Sequence, residues 1–328
     1  MSDSVETYAG AGAVPWWLNT STTMRSVVIL DKNLTGDEML KAASLDWSVS
    51  KRPLFYEKAD EEVASIQVPN FVATVRDSDD AYLGLVTPTY QVVQNSVLAE
   101  LGDALKGEGA TYHTAGSLFG GRIVWLQSIL DRAITINGDP SLYAAYLLIT
   151  AGHDGNHPVQ FANTPTRVVC ANTCHMALDG AKAKISLRHT ANIANRLDEV
   201  RKALGMANQY IDRFETVANQ MAAVPMSLME IGLFTEKLLP SNPEVEHAYR
   251  TEAQRQEIID LFSNSPTLDG VAPSAYRAFQ ATCEWADHFA PVRDTKSANA
   301  ADRRAISVLE GSAFALKGAA LKLLVPAA

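Results

Sequence analysis

The sequence predicts an α+β fold: a mostly antiparallel sheet built from hairpins, a long helix packed on it, and a helical C-terminal part. Three observations predict it. Strand-like segments in the first half are joined by short connections rich in Gly, Asp and Ser, the pattern of hairpins. Between Ile193 and Met221, apolar side chains recur at steps of three and four, which makes one continuous helical seam. After Met221 the apolar spacing stays helical, interrupted by a Ser/Pro/Gly/Asn/Asp loop from Ser263 to Pro273.

The arm over residues 1–34 reads as irregular, because Gly10, Gly12 and Pro15 discourage regular structure and Trp16–Trp17 suit a packing anchor. Thr35-Gly36-Asp37-Glu38 is a capping box that starts a helix through Leu45, with Met39, Leu40 and Ala43 inward. Asp46–Val49 follows as strand, and Phe71–Arg76 with Tyr82–Thr87 form a hairpin about residues 77–81. A helix is read over Thr89–Leu105, with Val93, Val97, Leu101 and Leu105 on one face and Gly107 and Gly109 as its stop.

Thr111–Ala115 and Arg122–Leu130 pair around Gly116, Gly120 and Gly121, and Leu142–Thr150 is a long apolar strand. The chain re-enters at Val159–Ala162 and Arg167–Cys170. Lys182–Arg188 alternates with period two: Lys182, Lys184, Ser186 and Arg188 on a wet face, Ala183, Ile185 and Leu187 on a dry one. The seam helix then carries Ile193, Leu197, Val200, Leu204, Ala207, Ile211, Phe214, Ala218 and Met221. Helices over Met226–Leu239, Val245–Phe262, Ser274–Phe289 and Asp302–Leu324 complete three parts: an arm (1–34), an α+β core (35–221) and a helical region (222–328).

The chain has 328 residues, 47% hydrophobic and 20% charged, enough for a sizeable core without staples. Its net charge of −9 argues against bulk attraction to nucleic acid, so any such binding needs a local basic patch. Three cysteines, sparse and odd in number, fit a reducing compartment. No segment has the order of a signal peptide or the length of a membrane span, and a cytoplasmic protein is expected. Neither a phosphate-binding glycine loop nor a nucleophile elbow is present. No cofactor is therefore expected, and enzymatic activity is not indicated.

A basic patch is available. Lys182, Lys184 and Arg188 share one strand face, and Arg122, Arg167 and Arg196 lie on neighbouring segments, with Tyr90, Tyr112 and Trp125 nearby. Cations that track phosphates and aromatics that stack on bases suit a single strand without sequence preference. Two other constellations compete. His153, Asp154 and His157 on a glycine-bounded loop could serve a metal-dependent nuclease or hydrolase, but no second carboxylate cluster follows and Asp154 equally suits an Asx turn. Cys170, Cys174 and His175, with His189 nearby, approach zinc-ligand spacing, yet no second cysteine pair follows and Cys170 sits in an apolar run; buried small side chains are the plainer reading.

At Arg167-Val168-Val169-Cys170-Ala171-Asn172-Thr173 and Arg188-His189-Thr190 the chain resembles a phage/plasmid-like family of uncharacterised proteins bearing a domain of unknown function. Pro15-Trp16, Tyr90-Gln91-Val92-Val93-Gln94-Asn95 and Glu284-Trp285-Ala286-Asp287-His288 agree with it, and residues 222–264 carry no shared motif. The order of elements is similar to phage single-strand annealing proteins of the Red-beta and Erf type. That resemblance implies single-stranded DNA as partner, self-association into rings or filaments, and annealing without ATP in a bacterial host cell. A metal-dependent hydrolase at the His153 loop and a non-catalytic phage–host interaction protein are the alternatives.

Overall fold

A computed structural model describes residues 28–29, 33–57, 65–141, 143–167, 172–173, 184–186, 193–241, 248–296 and 298–325. The fold is α+β, as the alternating hairpin segments predict. Seven described strands form a large antiparallel sheet: β1 (Val28–Ile29), β5 (Thr111–Leu118), β6 (Ile123–Leu130), β7 (Tyr143–Gly152), β8 (Gln160–Arg167) and β10 (Lys184–Ser186) in that order, with β9 (Asn172–Thr173) on β8. A separate sheet holds β2 (Val49–Tyr56), β3 (Ile66–Arg76) and β4 (Ala81–Val86), with β3 in the centre.

Cross-strand register assigns the two faces of the large sheet. Leu126, Ile149, Phe161 and Ile185 stand opposite one another, and so do Ser128, Leu147 and Asn163. Helix α2 (Ser96–Gly107) packs on that face so closely that a Cβ on Gly102 would lie 2.6 Å from both Leu126 Cδ2 and Tyr112 Cε1. The 30-residue helix α3 (Ile193–Ala222) packs against α2 and β8. The predicted seam holds from Val200 to Met221, with Leu204 half-buried, and is widened by Ala203, Tyr210 and Val217. The side chains of Ile193 and Leu197 lie outside the described residues.

The capping box of α1 (Gly36–Ala42) forms as predicted, Thr35 Oγ1 accepting from Glu38 N–H and Glu38 accepting from Thr35 N–H. Several predicted boundaries move, among them the start of β3, which lies at Ile66 and not Phe71, and the three that follow. Strand β2 begins at Val49, at the end of the predicted Asp46–Val49 strand. Helix α2 begins at Ser96, seven residues after Thr89, because the preceding side chains bond to backbone elsewhere: Gln94 both accepts from and donates to Val49, and Asn95 donates to Leu45 O. The helix predicted over Asp302–Leu324 is two, α7 (Ala300–Glu310) and α8 (Ser312–Leu324), broken at Gly311, where a Cβ would lie 2.8 Å from Ser307 Cα.

The C-terminal helices α4 (Leu228–Leu238), α5 (Ala248–Asn264), α6 (Ala275–Glu284), α7 and α8 share one continuous buried cluster with α3 and the sheet. Helix α6 continues into a π-helical turn, Trp285–Phe289. Two carbonyls at this turn, Asp287 O and Ala290 O, accept from Arg304. Within this cluster Lys317 Nζ lies 2.8 Å from Asp287 Oδ1, and both side chains are fully buried. No described helix is long and apolar enough to cross a membrane.

Candidate nucleic-acid interface

Of the six cations assigned to the basic patch, two are described with their side chains, Arg122 and Lys184. Arg167 is placed as the last residue of β8 and Arg196 in the first turns of α3, as backbone positions; Lys182 and Arg188 lie outside the described residues. Lys184 does not stand on a wet face. Register puts it beside Ala162 and Leu148, on the sheet face opposite α2, where it lines a cleft with Trp125, Ile306 and Leu309 of α7. Its side chain is 23% exposed, its ammonium lies 3.6 Å from Glu310 Oε2, and it packs over the Phe314 ring at 5.3 Å. Burial lowers its pKa, and Glu310 opposes that shift.

Arg122 is half-buried just before β6, and its carbonyl accepts from His153 N–H (2.8 Å). Its guanidinium lies 6.0 Å from the centroid of the Tyr82 ring, within cation–π range. No carboxylate among the described residues lies within ion-pair reach of it. Tyr82 belongs to an exposed face of the small sheet. Register places it opposite Val75 and places Leu85 opposite Ala73, and Phe71 follows the same alternation on β3. Tyr82, Leu85 and Phe71 are 51%, 48% and 43% exposed, an unusual concentration of large apolar side chains on one solvent-facing sheet. Phe55 and Tyr56 are similarly exposed near the end of β2. Arg52 shares the face but is tied to Asp77 and Asp80.

The other face of the small sheet rests on the loop between β7 and β8. Thr74 Oγ1 donates to His153 O (2.6 Å), Tyr90 Oη donates to Gly152 O (3.2 Å), and a Cβ on Gly84 would collide with the Asp154 backbone. His153 is fully buried, with Nε2 bonded to Asn95 Oδ1 (2.9 Å) and its ring edge-on to Trp47. Burial pushes its pKa down to about 4, so it is neutral near pH 7.

His157 turns instead toward α7. Its Nδ1 lies 2.9 Å from Asp154 Oδ2 and its Nε2 lies 3.3 Å from Glu310 Oε1. Asp154 also forms the predicted Asx turn, accepting from the N–H groups of Asn156 and His157. Hydrogen bonds to Asp154 and Glu310 raise the His157 pKa to about 9. Burial opposes the charge on Asp154, but hydrogen bonds from His157 and Asn156 outweigh it and bring the pKa down to about 2.

The loop therefore does not gather His153, Asp154 and His157 around one point. His153 is a neutral packing residue, and His157 is a cation held between two carboxylates, unable to accept a proton at neutral pH. Among the described residues no group of three or more His, Cys, Asp or Glu side chains is placed to hold a metal ion. Cys170, Cys174, His175 and His189 lie outside the described residues, and Cys283 is buried. Tyr112 and Trp125, candidates for base stacking by their place in the sequence, are core residues, and Tyr90 is half-buried.

A pH dependence follows from His157. Its folded-state pKa lies above the ordinary value of 6.5, so its contribution is complete below that value and is lost as pH rises through about 9. Urea midpoints are expected to fall between about pH 7 and about pH 9.5, and the fall is expected to shrink in His157→Gln. Equal falls in both proteins would show that the ion pairs at His157 do not contribute.

Residues 82–307 match Domain of unknown function (DUF932). The chain belongs to that family. No curated protein and no solved structure is significantly similar to it. The DUF932 span takes in Tyr82, Arg122, the His153 loop and most of α7, and ends just before Glu310. Neither the small-sheet face nor the Glu310 contact is among the features the sequence pattern points to. The first does leave a signal: Phe71-Val72-Ala73 and Leu83-Gly84-Leu85-Val86 are apolar at both parities, more than a sheet with one buried face requires.

Proposed function

We propose that the protein is a single-stranded DNA-binding protein that promotes annealing without ATP, encoded by a phage or plasmid and acting in the cytoplasm of its bacterial host. One observation carries the reading: a solvent-facing row of Tyr82, Leu85 and Phe71 on the small sheet, with the Arg122 guanidinium at the Tyr82 ring. Aromatic faces stack on any base, and a guanidinium beside them can meet the phosphate of the same nucleotide. The net charge of −9 confines attraction to such a local feature and calls for binding that weakens with salt. The resemblance of the element order to annealing proteins supports the same reading and implies side-by-side self-association, so that one strand crosses several protomers.

Fluorescence anisotropy with a labelled oligothymidine at low salt tests it. Tyr82→Ala is expected to weaken binding about tenfold, the worth of one stacked base. Arg122→Gln is expected to weaken it comparably and to lower the salt slope by about 0.7, as one lost phosphate contact requires. No binding at low salt, or binding indifferent to both substitutions, would remove the reading.

A further inference from the structure

Glu310 ends α7 with its carboxylate between two cationic groups that come from different parts of the sheet. His157 Nε2 from the β7–β8 loop lies 3.3 Å from one oxygen, and Lys184 Nζ from β10 lies 3.6 Å from the other. Asp154 keeps His157 in its protonated form from behind. A carboxylate seated across two cations occupies the place that a phosphate diester oxygen pair takes in a charge-assisted site. The helix bearing it is held to the sheet at both ends by carboxylates. Near its start Asp302 Oδ2 accepts from Phe119 N–H (2.8 Å), and at its end Glu310 makes the clasp. Between them Ile306 and Leu309 cover a cleft lined by Trp125, Leu148 and Ala162, with about 30 Å³ of free space, room for only a water or two.

We infer that Lys184 and His157 form a phosphate site on the large sheet, occupied internally by Glu310, so that the Glu310 carboxylate acts as an autoinhibitory plug displaced by a nucleic-acid backbone while α7 stays packed. The inference rests on the single-strand reading for the identity of the ligand. It also assigns a role to the strand cation that the period-two alternation places in the open: Lys184 is withheld until the Glu310 carboxylate swings away.

The experiment is an anisotropy titration of the full chain with oligothymidine over a range of salt, comparing the parent, Glu310→Gln, Lys184→Gln, and the double variant. Glu236→Gln, on the exposed side of α4, makes the same change in net charge away from the clasp and serves as the control. Glu310→Gln is expected to bind about tenfold tighter than the parent, with a salt slope steeper by about 0.7 per cation released. Glu236→Gln is expected to match the parent, Lys184→Gln alone to change little, and Lys184→Gln in the Glu310→Gln background to abolish the gain. Parent binding with no gain in Glu310→Gln beyond that in Glu236→Gln overturns the autoinhibition by Glu310 and leaves the single-strand reading standing. A gain that survives in the double variant overturns the site at Lys184. Absence of binding by every variant at low salt overturns the single-strand reading and the ligand named here together.

Discussion

Replacing Lys317 with Met is expected to cost about 3–5 kcal/mol of stability, because it removes the ammonium that lies against the buried Asp287 carboxylate. Both side chains are fully buried and lie 2.8 Å apart between α8 and the π-helical turn after α6. The attraction within such a pair roughly offsets the desolvation of two ions, so the pair adds little net stability, whereas half of it is strongly unfavourable. The double variant Lys317→Met/Asp287→Leu is therefore expected to be more stable than either single variant, despite carrying two changes. Urea denaturation of the parent, both singles and the double closes the cycle. A Lys317→Met protein within about 0.5 kcal/mol of the parent, or additive losses in the double, would show that water or another group already satisfies the carboxylate.

The second large effect is expected at Arg277. This buried side chain points out of α6 into the loop that closes the space between α5 and α6. Nε donates to Phe262 O and Nη1 to Leu268 O and Val271 O, each at 2.6 Å, while the guanidinium lies over the Phe262 ring. Three carbonyls that end α5 and the following turn thus depend on one planar fork of donors. Arg277→Met is expected to cost about 3–5 kcal/mol, at roughly 1–3 kcal/mol for each carbonyl left dry, reduced by partial opening to solvent. Arg277→Lys is expected to recover less than half, since a point-like ammonium cannot meet three divergent acceptors. The loss should show in urea unfolding and in faster proteolysis within residues 263–273. A Lys variant equal to the parent would mean that charge, and not fork geometry, holds the loop.

Elements defined by neighbours in sequence are legible from residue spacing alone. The α3 seam from Val200 to Met221, the Thr35–Glu38 capping box and the turn of the β3–β4 hairpin depend on spacing over a few residues, and each forms where the pattern puts it. Features that depend on distant partners are not legible in this way. Helix α2 starts later than its apolar spacing suggests because Gln94 and Asn95, acceptable in a helical pattern, spend their amides on Val49 and Leu45. Alternation puts Lys184 on a solvated face because it assigns a face without saying what covers it, and Glu310 arrives from the far end of the chain. His153 and His157 look equivalent on one loop; opposite surroundings make one neutral and the other a cation. Gly311, silent within a helical run, stands between two helices at a place where Ser307 leaves no room for a side chain.

The two attachments made by the β7–β8 loop differ in kind. On one side uncharged groups join it and α2 to the small sheet, through Thr74, Tyr90, Gln94 and Asn95. On the other, the end of α7 is joined to it by the partly exposed ion pair of Glu310 with His157. Dissolved electrolyte screens the second kind and barely touches the first. Raising ionic strength should therefore loosen one flank of this loop while the opposite flank stays put, giving a protein whose parts respond separately to the same change in medium.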